Sequence, residues 1–446
     1  MQAANASSWP PVTNRERRAW YFYDFGNSAY AAVILLAVYS AYFKNTVVGG
    51  EEGTRLWGVA AGLATLFVAL TSPILGSIAD YSASKKSFLF FFTALCCACT
   101  ALLFLVQKGD VVLGMAFFIL AEIGYRSGQV FQNAFLPELA TPAEIERVSG
   151  NGWAIGSAGG IICLLLVLPL IVLLEKSLGA LIVRVSFIIT ALFFVASVVP
   201  AWLWLKERAV RRSLPAGQSY LSLGFGRIWH TLQHARHYRE FLKFTLAFII
   251  FNNGIIIAID FAAIIGSVLF GMNQTSLIVL IIVVQVTSVI GAYLFGIFAS
   301  RNNSKLALLI SLVLMILAVI WLYFARTAAI FYVIGALAGL ALTGVQSISR
   351  TMVGQLSPMA RSGEFYGLFA VASSMSAFIG PTLFGIISAA AAQRYMAQGL
   401  LDIPAEQAGL RVGILGLLAF LAVGSALLLL VNLKRGQQAA QTVITV

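Results

Sequence analysis

The chain has 446 residues, of which 60% are hydrophobic and only 10% are charged, and its mean hydropathy is +0.91. This composition excludes a soluble globular domain and is typical of a protein that crosses a membrane many times. The net charge of +12 does not indicate a nucleic-acid partner, because the basic residues are concentrated in alternate loops, as in membrane proteins.

A bilayer core of about 30 Å requires about 20 apolar residues per helix, and twelve segments meet that requirement. The sequence therefore predicts an all-α polytopic membrane protein. The first segment is too long for a signal peptide, so we expect it to remain as a helix. The predicted spans are residues 20–43, 56–79, 87–107, 111–136, 148–174, 181–205, 241–266, 275–299, 305–325, 328–356, 365–392 and 410–432.

The distribution of Lys and Arg predicts the orientation. Segments on the side of the amino terminus hold 19 of these residues, the loops on the other side hold 7, including Lys44, and 3 lie within spans. Cytoplasmic loops carry an excess of Lys and Arg, so both termini are expected in the cytoplasm.

The first span opens with aromatic and polar residues. Trp20 is expected in the headgroup belt. Asp24 lies about 6 Å deeper at 1.5 Å per residue. It is either a helix-start acid favoured by the macrodipole or a proton-coupling group. Asn27 and Tyr30 lie deeper still, and we predict that they line a solute path.

The fourth span carries a polar stripe. Glu122, Arg126, Gln129 and Asn133 follow one another at i, i+4, i+7 and i+11, so they share one helix face. Ionised groups inside a membrane are costly unless they are paired or face water, and they usually mark function. We predict a polar cavity in which Arg126 binds an anionic group and Glu122 exchanges a proton. The alternative is an i, i+4 pair that only neutralises both charges.

The fifth span has Gly152, Gly156 and Gly160 at four-residue spacing, which allows close approach of a neighbouring helix. The basic segment that follows the sixth span becomes amphipathic after Ile228, as expected of a helix on anionic lipid headgroups. His230, His234 and His237 share a face of it, but no carboxylate or thiol completes a ligand set, so we expect no metal site.

The seventh span carries Asn252 and Asn253 before a glycine, about halfway along, which predicts local unwinding with amides available to a ligand. Asp260 lies two turns further on and is expected at the outer mouth. Gln285 and Gln346 add amides in the eighth and tenth spans. The predicted solute-binding residues are thus Asn27, Tyr30, Arg126, Gln129, Asn252, Asn253, Gln285 and Gln346, and the predicted proton-coupling residues are Glu122, Asp24 and Asp260.

Similar residues recur 220 positions apart, which predicts two duplicated six-helix halves. The matches include Gly76 with Gly296, Lys85 with Lys305, Gly124 with Gly344, and Gly160 with Gly380. The predicted domains are a tail (1–18), an N-terminal bundle (19–206), a linker (207–240), a C-terminal bundle (241–433) and a second tail (434–446).

Twelve spans in two halves, a basic central loop and a Gly-x-x-x-Asp…Lys-Lys turn after the second span together resemble the major facilitator superfamily. In this turn Ala83 replaces the usual glycine of the superfamily motif. The resemblance implies a latch in which Asp80 is attracted to the amino end of the eleventh helix near Gly363. The predicted gating residues are Gly76, Asp80, Lys85, Lys86 and Arg301.

Residues 23–29 read Tyr-Asp-Phe-Gly-Asn-Ser-Ala, similar to the signature of the vacuolar-effluxer-like branch, which includes an autophagy-related amino-acid effluxer. Residues 130–140, 147–154 and 364–370 are also similar to that branch. Branch members often carry an acid where this chain has Asn253. The resemblance implies a fold of two pseudo-symmetric bundles in a multi-pass protein of the bacterial inner membrane.

We therefore expect a secondary transporter that moves an amino acid or similar solute by alternating access, with proton coupling. The alternatives are a transporter of lysolipids and, less favoured, an intramembrane enzyme, since the three His lie in the linker rather than in a span. The expected partners are a small-molecule solute and anionic lipids, without nucleic acid, cofactor or metal. A monomer is expected.

Overall fold

The computed structural model describes residues 12–140, 145–208, 226, 238–301, 303–357 and 362–441, with the backbone alone at some of these positions. The described residues are almost entirely helical, and twelve helices among them are long and apolar enough to span a membrane. We number these α1 to α12. Their bounds are α1 Asn14–Tyr30, α2 Gly50–Ser82, α3 Lys85–Leu102, α4 Val111–Ala134, α5 Ile145–Leu178, α6 Ala180–Trp204, α7 Arg239–Asp260, α8 Gln274–Arg301, α9 Ser304–Phe324, α10 Ala328–Leu356, α11 Ser362–Ala397 and α12 Asp402–Leu429.

Both ends of the described chain lie on the same side of the twelve helices, because the number of spans is even. We call this the termini side and the other the opposite side. The amphipathic stretch of the linker and His230, His234 and His237 lie outside the described residues.

The first span is longer than the sequence predicts. It begins at a capping box, in which Thr13 and Glu16 each bond to the other's backbone N–H. Beyond Tyr30 it continues through π-helical turns at Ala31–Ala37 and Phe43–Val48. The prediction that Lys44 lies in a loop is wrong: the second π-helical turn carries it inside the protein, where it is 5% exposed.

The seventh span is a continuous helix to Asp260, so the prediction of unwinding at Asn252 and Asn253 is wrong. Gly254 serves packing instead. A Cβ atom at this position would lie 2.8 Å from Leu421 Cγ in α12, so the glycine allows the two helices to approach closely.

The two groups of six helices pack in the same way, which confirms the predicted duplication. Each helix pair of the first bundle has an equivalent in the second. The contact of α1 with α5 corresponds to that of α7 with α11, and the contact of α1 with α6 to that of α7 with α12. Likewise, α2 with α4 corresponds to α8 with α10, and α3 with α4 to α9 with α10. The two bundles contact each other through α2 with α11 and through α5 with α8. The pseudo-symmetry that relates the two bundles converts one of these contacts into the other.

Glycines 220 residues apart occupy equivalent contacts. Gly124 packs on α3 as Gly344 packs on α9, and Gly160 faces α1 as Gly380 faces α7. The glycines of α5 also contact α1, as predicted: Gly152 lies against the Trp20 ring, and Gly156 against Asp24 and Ser28. These contacts fix α1 beside the interface between the bundles.

Candidate functional site

A cavity of about 460 Å³ lies between the two bundles. Its walls come from α1, α4 and α5 on one side and from α7 to α10, α12 and the short helix Ala262–Phe270 on the other. A site of this size between two bundles suits a small-molecule ligand.

The end of the cavity nearer the termini side is polar. Asp24 lines it from α1, Gln132 and Asn133 from α4, and Gln346 and Arg350 from α10. The Asp24 carboxylate receives a hydrogen bond from the Gln132 side chain and interacts electrostatically with Arg350. Opposite charges from the two bundles therefore face each other across this end of the cavity.

The other end of the cavity is apolar. It is lined toward the opposite side by Leu36 of the π-helical turn after α1, Ile265 of the short helix, Leu280 of α8 and Phe331 and Ile334 of α10. The cavity thus offers charge and amides at one end and hydrocarbon at the other.

Aromatic side chains lie beside the polar end. Trp20, Tyr125 and Trp153 line the cavity, and the Trp20 indole N–H donates to the backbone oxygen of Gln132 at 2.9 Å. Trp20 is only 3% exposed, so the prediction of a headgroup-belt residue is wrong. Gly152 makes room for its ring and allows α1 to turn this side chain inward.

Three of the predicted solute-binding amides line the cavity: Gln129, Gln285 and Gln346. Gln129 donates to the Tyr125 hydroxyl at 3.1 Å. The Gln285 side-chain nitrogen is buried and has no hydrogen-bond partner among the described residues. Because an unpaired buried donor is costly, this nitrogen is available to a ligand or to water.

The charged residues of the α4 stripe lie outside the cavity wall. Glu122 has no exposed surface. Its two carboxylate oxygens accept from Arg126 Nε at 2.5 Å and from the Tyr30 hydroxyl at 3.1 Å. Arg126 is 22% exposed and interacts electrostatically with Asp260 of the other bundle. The stripe therefore faces the cavity at Gln129 and is covered by Tyr30 at Glu122.

The predicted asparagines are buried away from the cavity wall. Asn27, Asn252 and Asn253 are each less than 5% exposed. Asn253 donates to the backbone oxygen of Ile249 at 2.6 Å. One side-chain polar atom in each of the three has no hydrogen-bond partner among the described residues.

The predicted gating turn is only partly described. The surroundings of Gly76 and Gly363 and the side chains of Asp80 and Arg301 lie outside what the structure describes. Lys85 Nζ bonds to Glu138 at 3.1 Å, and Lys86 Nζ donates to the backbone oxygens of Trp202 and Leu205. These described contacts join helices of the N-terminal bundle and do not cross to the other bundle.

Arg350 is the main cavity residue to which the sequence reasoning assigned no role. The same signal that selected Arg126 was available, because Arg350 is an ionised side chain inside a predicted span. Gln132 and Trp153 were also missed, and they carry no comparable signal.

Residues 57–441 match the family described as "Vacuole effluxer Atg22 like". The chain belongs to this family. It is a multi-pass membrane transporter of the major facilitator type.

Relatives of this Atg22-like chain occur in bacteria and fungi. An uncharacterized MFS-type transporter of Bacillus subtilis, YxiO, is 27% identical over 380 residues, which cover 83% of this chain and 88% of that one. Autophagy-related protein 22 of Coccidioides immitis is 25% identical over 265 residues, 54% of this chain and 44% of that one. The chain thus matches less than half of that fungal relative's length.

Solved structures of other transporters share the fold. A variant of the nucleoside transporter NupG is similar with a TM-score of 0.71 at 13% identity, covering 93% of this chain and 99% of that one. A bacterial homologue of the human lysosomal transporter Spinster has a TM-score of 0.70 at 14% identity, with both chains fully covered. At this identity the likeness establishes the fold alone.

Proposed function

We propose that the protein is a secondary active transporter that moves a small zwitterionic solute, such as an amino acid, across the membrane by alternating access. The observation that carries the proposal is the polar end of the cavity, where Asp24 of one bundle and Arg350 of the other face the same space. A zwitterion presents an anionic and a cationic group and can bind both residues at once.

The solute carboxylate would bind Arg350, since a guanidinium can form two parallel hydrogen bonds with a carboxylate. The solute ammonium would bind Asp24. Gln129, Gln285 and Gln346 would supply further hydrogen bonds from the cavity wall. The sequence assigned the anion-binding role to Arg126, but Arg126 is not part of the cavity wall and its Nε donates to Glu122. We therefore transfer the role to Arg350, which lines the cavity.

Such a solute would also link binding to motion. When it contacts Asp24 and Arg350 together, it draws α1 of one bundle toward α10 of the other. A ligand shifts a conformational equilibrium only by its difference in affinity between the states. Contacts with both bundles provide that difference.

We further propose that the termini side is cytoplasmic and that the membrane is a bacterial inner membrane. The excess of Lys and Arg on the termini side, 19 against 7, supports this orientation. Binding of anionic lipid headgroups by residues 207–240 stays a prediction.

The test is solute counterflow in proteoliposomes, with each radiolabelled amino acid offered against an unlabelled internal pool. We expect exchange of a subset of amino acids by the wild-type protein. Arg350→Gln should lower it by about 10-fold to 100-fold, because hydrogen bonds to charged groups contribute about 1.5–3 kcal/mol. Arg184→Gln is the matched control, since Arg184 also lies within a helix but donates to the backbone oxygen of Phe104, away from the cavity.

The apolar end of the cavity favours one second candidate, a lysolipid with its headgroup at Asp24 and Arg350 and its chain toward Leu36 and Phe331. A lysophospholipid belongs in the same assay for this reason. Exchange of lysolipid without exchange of any amino acid would replace the first proposal by the second. Loss of exchange in Arg184→Gln equal to that in Arg350→Gln would contradict the assigned role of Arg350.

A further inference from the structure

Another cavity, of about 320 Å³, lies at the starts of α1 and α5, on the termini side. We call it the α1–α5 pocket. It is separate from the solute cavity, because the two share no lining residue. Its described lining residues supply two guanidiniums, two amides, one phenol and no acid. They are Asn14, Arg17, Arg18 and Tyr21 of α1 and Val148 and Asn151 of α5.

The two arginines of the pocket are held in different ways. Arg17 Nε donates to the backbone oxygen of Leu139 at 3.0 Å, so a contact with the segment after α4 fixes this side chain. Arg18 is exposed to the surroundings of the protein. The carboxylate of the adjacent Glu16 accepts from Arg208 at 2.9 and 3.0 Å. That acid is therefore engaged elsewhere, and the pocket presents positive charge.

The faces of α1 and α5 that line the pocket continue into apolar surface. On α1, Phe22 follows Arg18 by four residues, about 6 Å deeper on the same side of the helix. On α5, Ile162 follows Asn151 by eleven residues, which again places both on one face.

Both apolar side chains, Phe22 and Ile162, are exposed, and neither lines the solute cavity. Exposed apolar side chains within the spans of a membrane protein contact the hydrocarbon of the bilayer. Each helix thus runs from a polar group at the pocket to hydrocarbon contact within a few turns. An amphiphile with a polar headgroup and acyl chains matches this arrangement.

The charge of the pocket determines which headgroup suits it. A guanidinium binds phosphate oxygens through parallel hydrogen bonds, and basic residues beside the cytoplasmic leaflet attract anionic lipids. The amides of Asn14 and Asn151 and the hydroxyl of Tyr21 are suitable partners for headgroup hydroxyls. A choline headgroup would instead bring a cation beside two guanidiniums, which is unfavourable.

We propose that the α1–α5 pocket binds the headgroup of one anionic phospholipid of the phosphatidylglycerol type, in the leaflet on the termini side. The phosphate binds between Arg17 and Arg18, and the acyl chains pass Phe22 and Ile162. A lipid bound in this way joins the starts of α1 and α5, beside the contact of these two helices at Gly152. The site is distinct from the linker at residues 207–240, and it does not depend on the identity of the solute.

The first arm of the test uses the purified full-length protein in detergent and phosphatidylglycerol with a photoreactive group in an acyl chain. Mass spectrometry should find the label on peptides that contain Phe22 or Ile162. Excess unlabelled phosphatidylglycerol should suppress this labelling, whereas equal concentrations of phosphatidylcholine or free glycerol phosphate should not. Suppression by phosphatidylcholine would show that headgroup charge is not recognised, and suppression by glycerol phosphate would show a site for a soluble phosphate. Either result would overturn the proposal.

The second arm compares two arginines of α1. Arg18→Gln should raise the apparent Kd of the labelled lipid about tenfold, because it removes a hydrogen bond between charged groups. Arg15→Gln is the matched control, since Arg15 is exposed on the first turn of the same helix but does not line the pocket. It should bind the lipid as the wild type does.

This control separates a defined site from diffuse attraction between basic residues and anionic lipid, because diffuse attraction would weaken equally in both variants. Both arginines are exposed, so we expect the two variants to melt at the temperature of the wild type when no lipid is added. Equal apparent Kd values for Arg18→Gln and Arg15→Gln would contradict the assigned pocket.

Discussion

The two ends of the interface between the bundles are held in different ways. On the opposite side, polar contacts cross from one bundle to the other: Lys44 pairs with Glu406 at 2.6 Å, Trp57 bonds to the Asp260 backbone, and Gln274 bonds to the backbone of Val38. On the termini side, each described ion pair stays within one bundle and its connecting segments, as between Arg208 and Glu16 or between Lys243 and Glu240.

This difference separates contacts that must break during transport from contacts that need not. An ion pair that crosses the interface stabilises one state of an alternating-access cycle and is lost in the other. An ion pair inside one bundle moves with it and contributes equally to both states. A substitution at a pair that crosses the interface should therefore change the conformational equilibrium, and a substitution at a pair inside one bundle should change the stability of the fold. This difference should hold even where the two substitutions lose a similar interaction free energy.

The largest effect is expected at the pair that crosses the interface. Lys44→Met leaves the Glu406 carboxylate, 8% exposed, without its cation. Removing one partner of a buried pair costs about 3–5 kcal/mol, and here that cost falls on the state closed at the opposite side. A cysteine placed beside the pair should react faster with a thiol reagent in Lys44→Met than in the parent.

The double variant Lys44→Met with Glu406→Met is the control for this experiment, because it removes the unpaired charge as well as the pair. We expect it to recover much of the protection from the thiol reagent. Protection in Lys44→Met equal to that of the parent would show that this pair does not hold the opposite side closed.

A pair inside one bundle should give the contrasting result. Arg208 donates to both carboxylate oxygens of Glu16, at 2.9 and 3.0 Å, and its backbone N–H donates to Glu138. Arg208→Met should destabilise the fold by about 3 kcal/mol, at the lower end of the range for broken buried pairs, since Glu16 keeps its bonds to Thr13.

This loss should lower the melting temperature of the purified protein. It should leave the labelling rate at the opposite side unchanged, because the pair does not cross the interface. An increase in that rate comparable to the increase in Lys44→Met would remove the distinction between the two kinds of pair.

The close contact between α2 and α11 on the opposite side provides a test with a smaller expected increase in thiol labelling. Gly58 of α2 meets the backbone oxygen of Pro381 in α11 so closely that an added Cβ would force the helices apart. Gly58→Ala should cost about 1–3 kcal/mol of overpacking in the closed state alone. Gly416→Ala in α12 is the control, because a Cβ there meets nothing within 4 Å. Equal labelling rates in the two variants would contradict a role of the Gly58–Pro381 contact in closing the opposite side.

The sequence predicts the helices and the duplication because both depend on local pattern. Apolar runs of bilayer length and glycines 220 residues apart are readable without tertiary contacts. It also predicts the face of α4 that carries Gln129. It does not show that Tyr30 covers Glu122 on that face, since the covering residue comes from α1.

Contacts between residues of the two bundles could not be predicted from the sequence. Lys44 and Glu406 are 362 positions apart, and each resembles a loop residue when examined alone. The sequence likewise does not show that the backbone oxygen of Asp260 accepts a hydrogen bond from Trp57 of the other bundle. The rotation of one bundle relative to the other decides which charges meet across the interface. The residue pattern of a single span does not encode that rotation.

A departure from the superfamily motif leads to the smallest predicted effect. Ala83 ends α2 with φ of 50° and ψ of 54°, the left-handed conformation that favours glycine. The superfamily motif has glycine at this place, so Ala83→Gly should stabilise the turn by up to about 1 kcal/mol, offset in part by the entropy of the unfolded chain.

The turn joins α2 and α3 within one bundle, so Ala83→Gly should raise the melting temperature slightly and leave labelling at the opposite side unaltered. A lower melting temperature would mean that the Cβ of Ala83 makes contacts worth more than the strain it causes. A changed labelling rate would instead show that this turn takes part in gating, as the superfamily resemblance implies for the neighbouring Asp80. The two measurements on one variant therefore separate a local backbone effect from a conformational one.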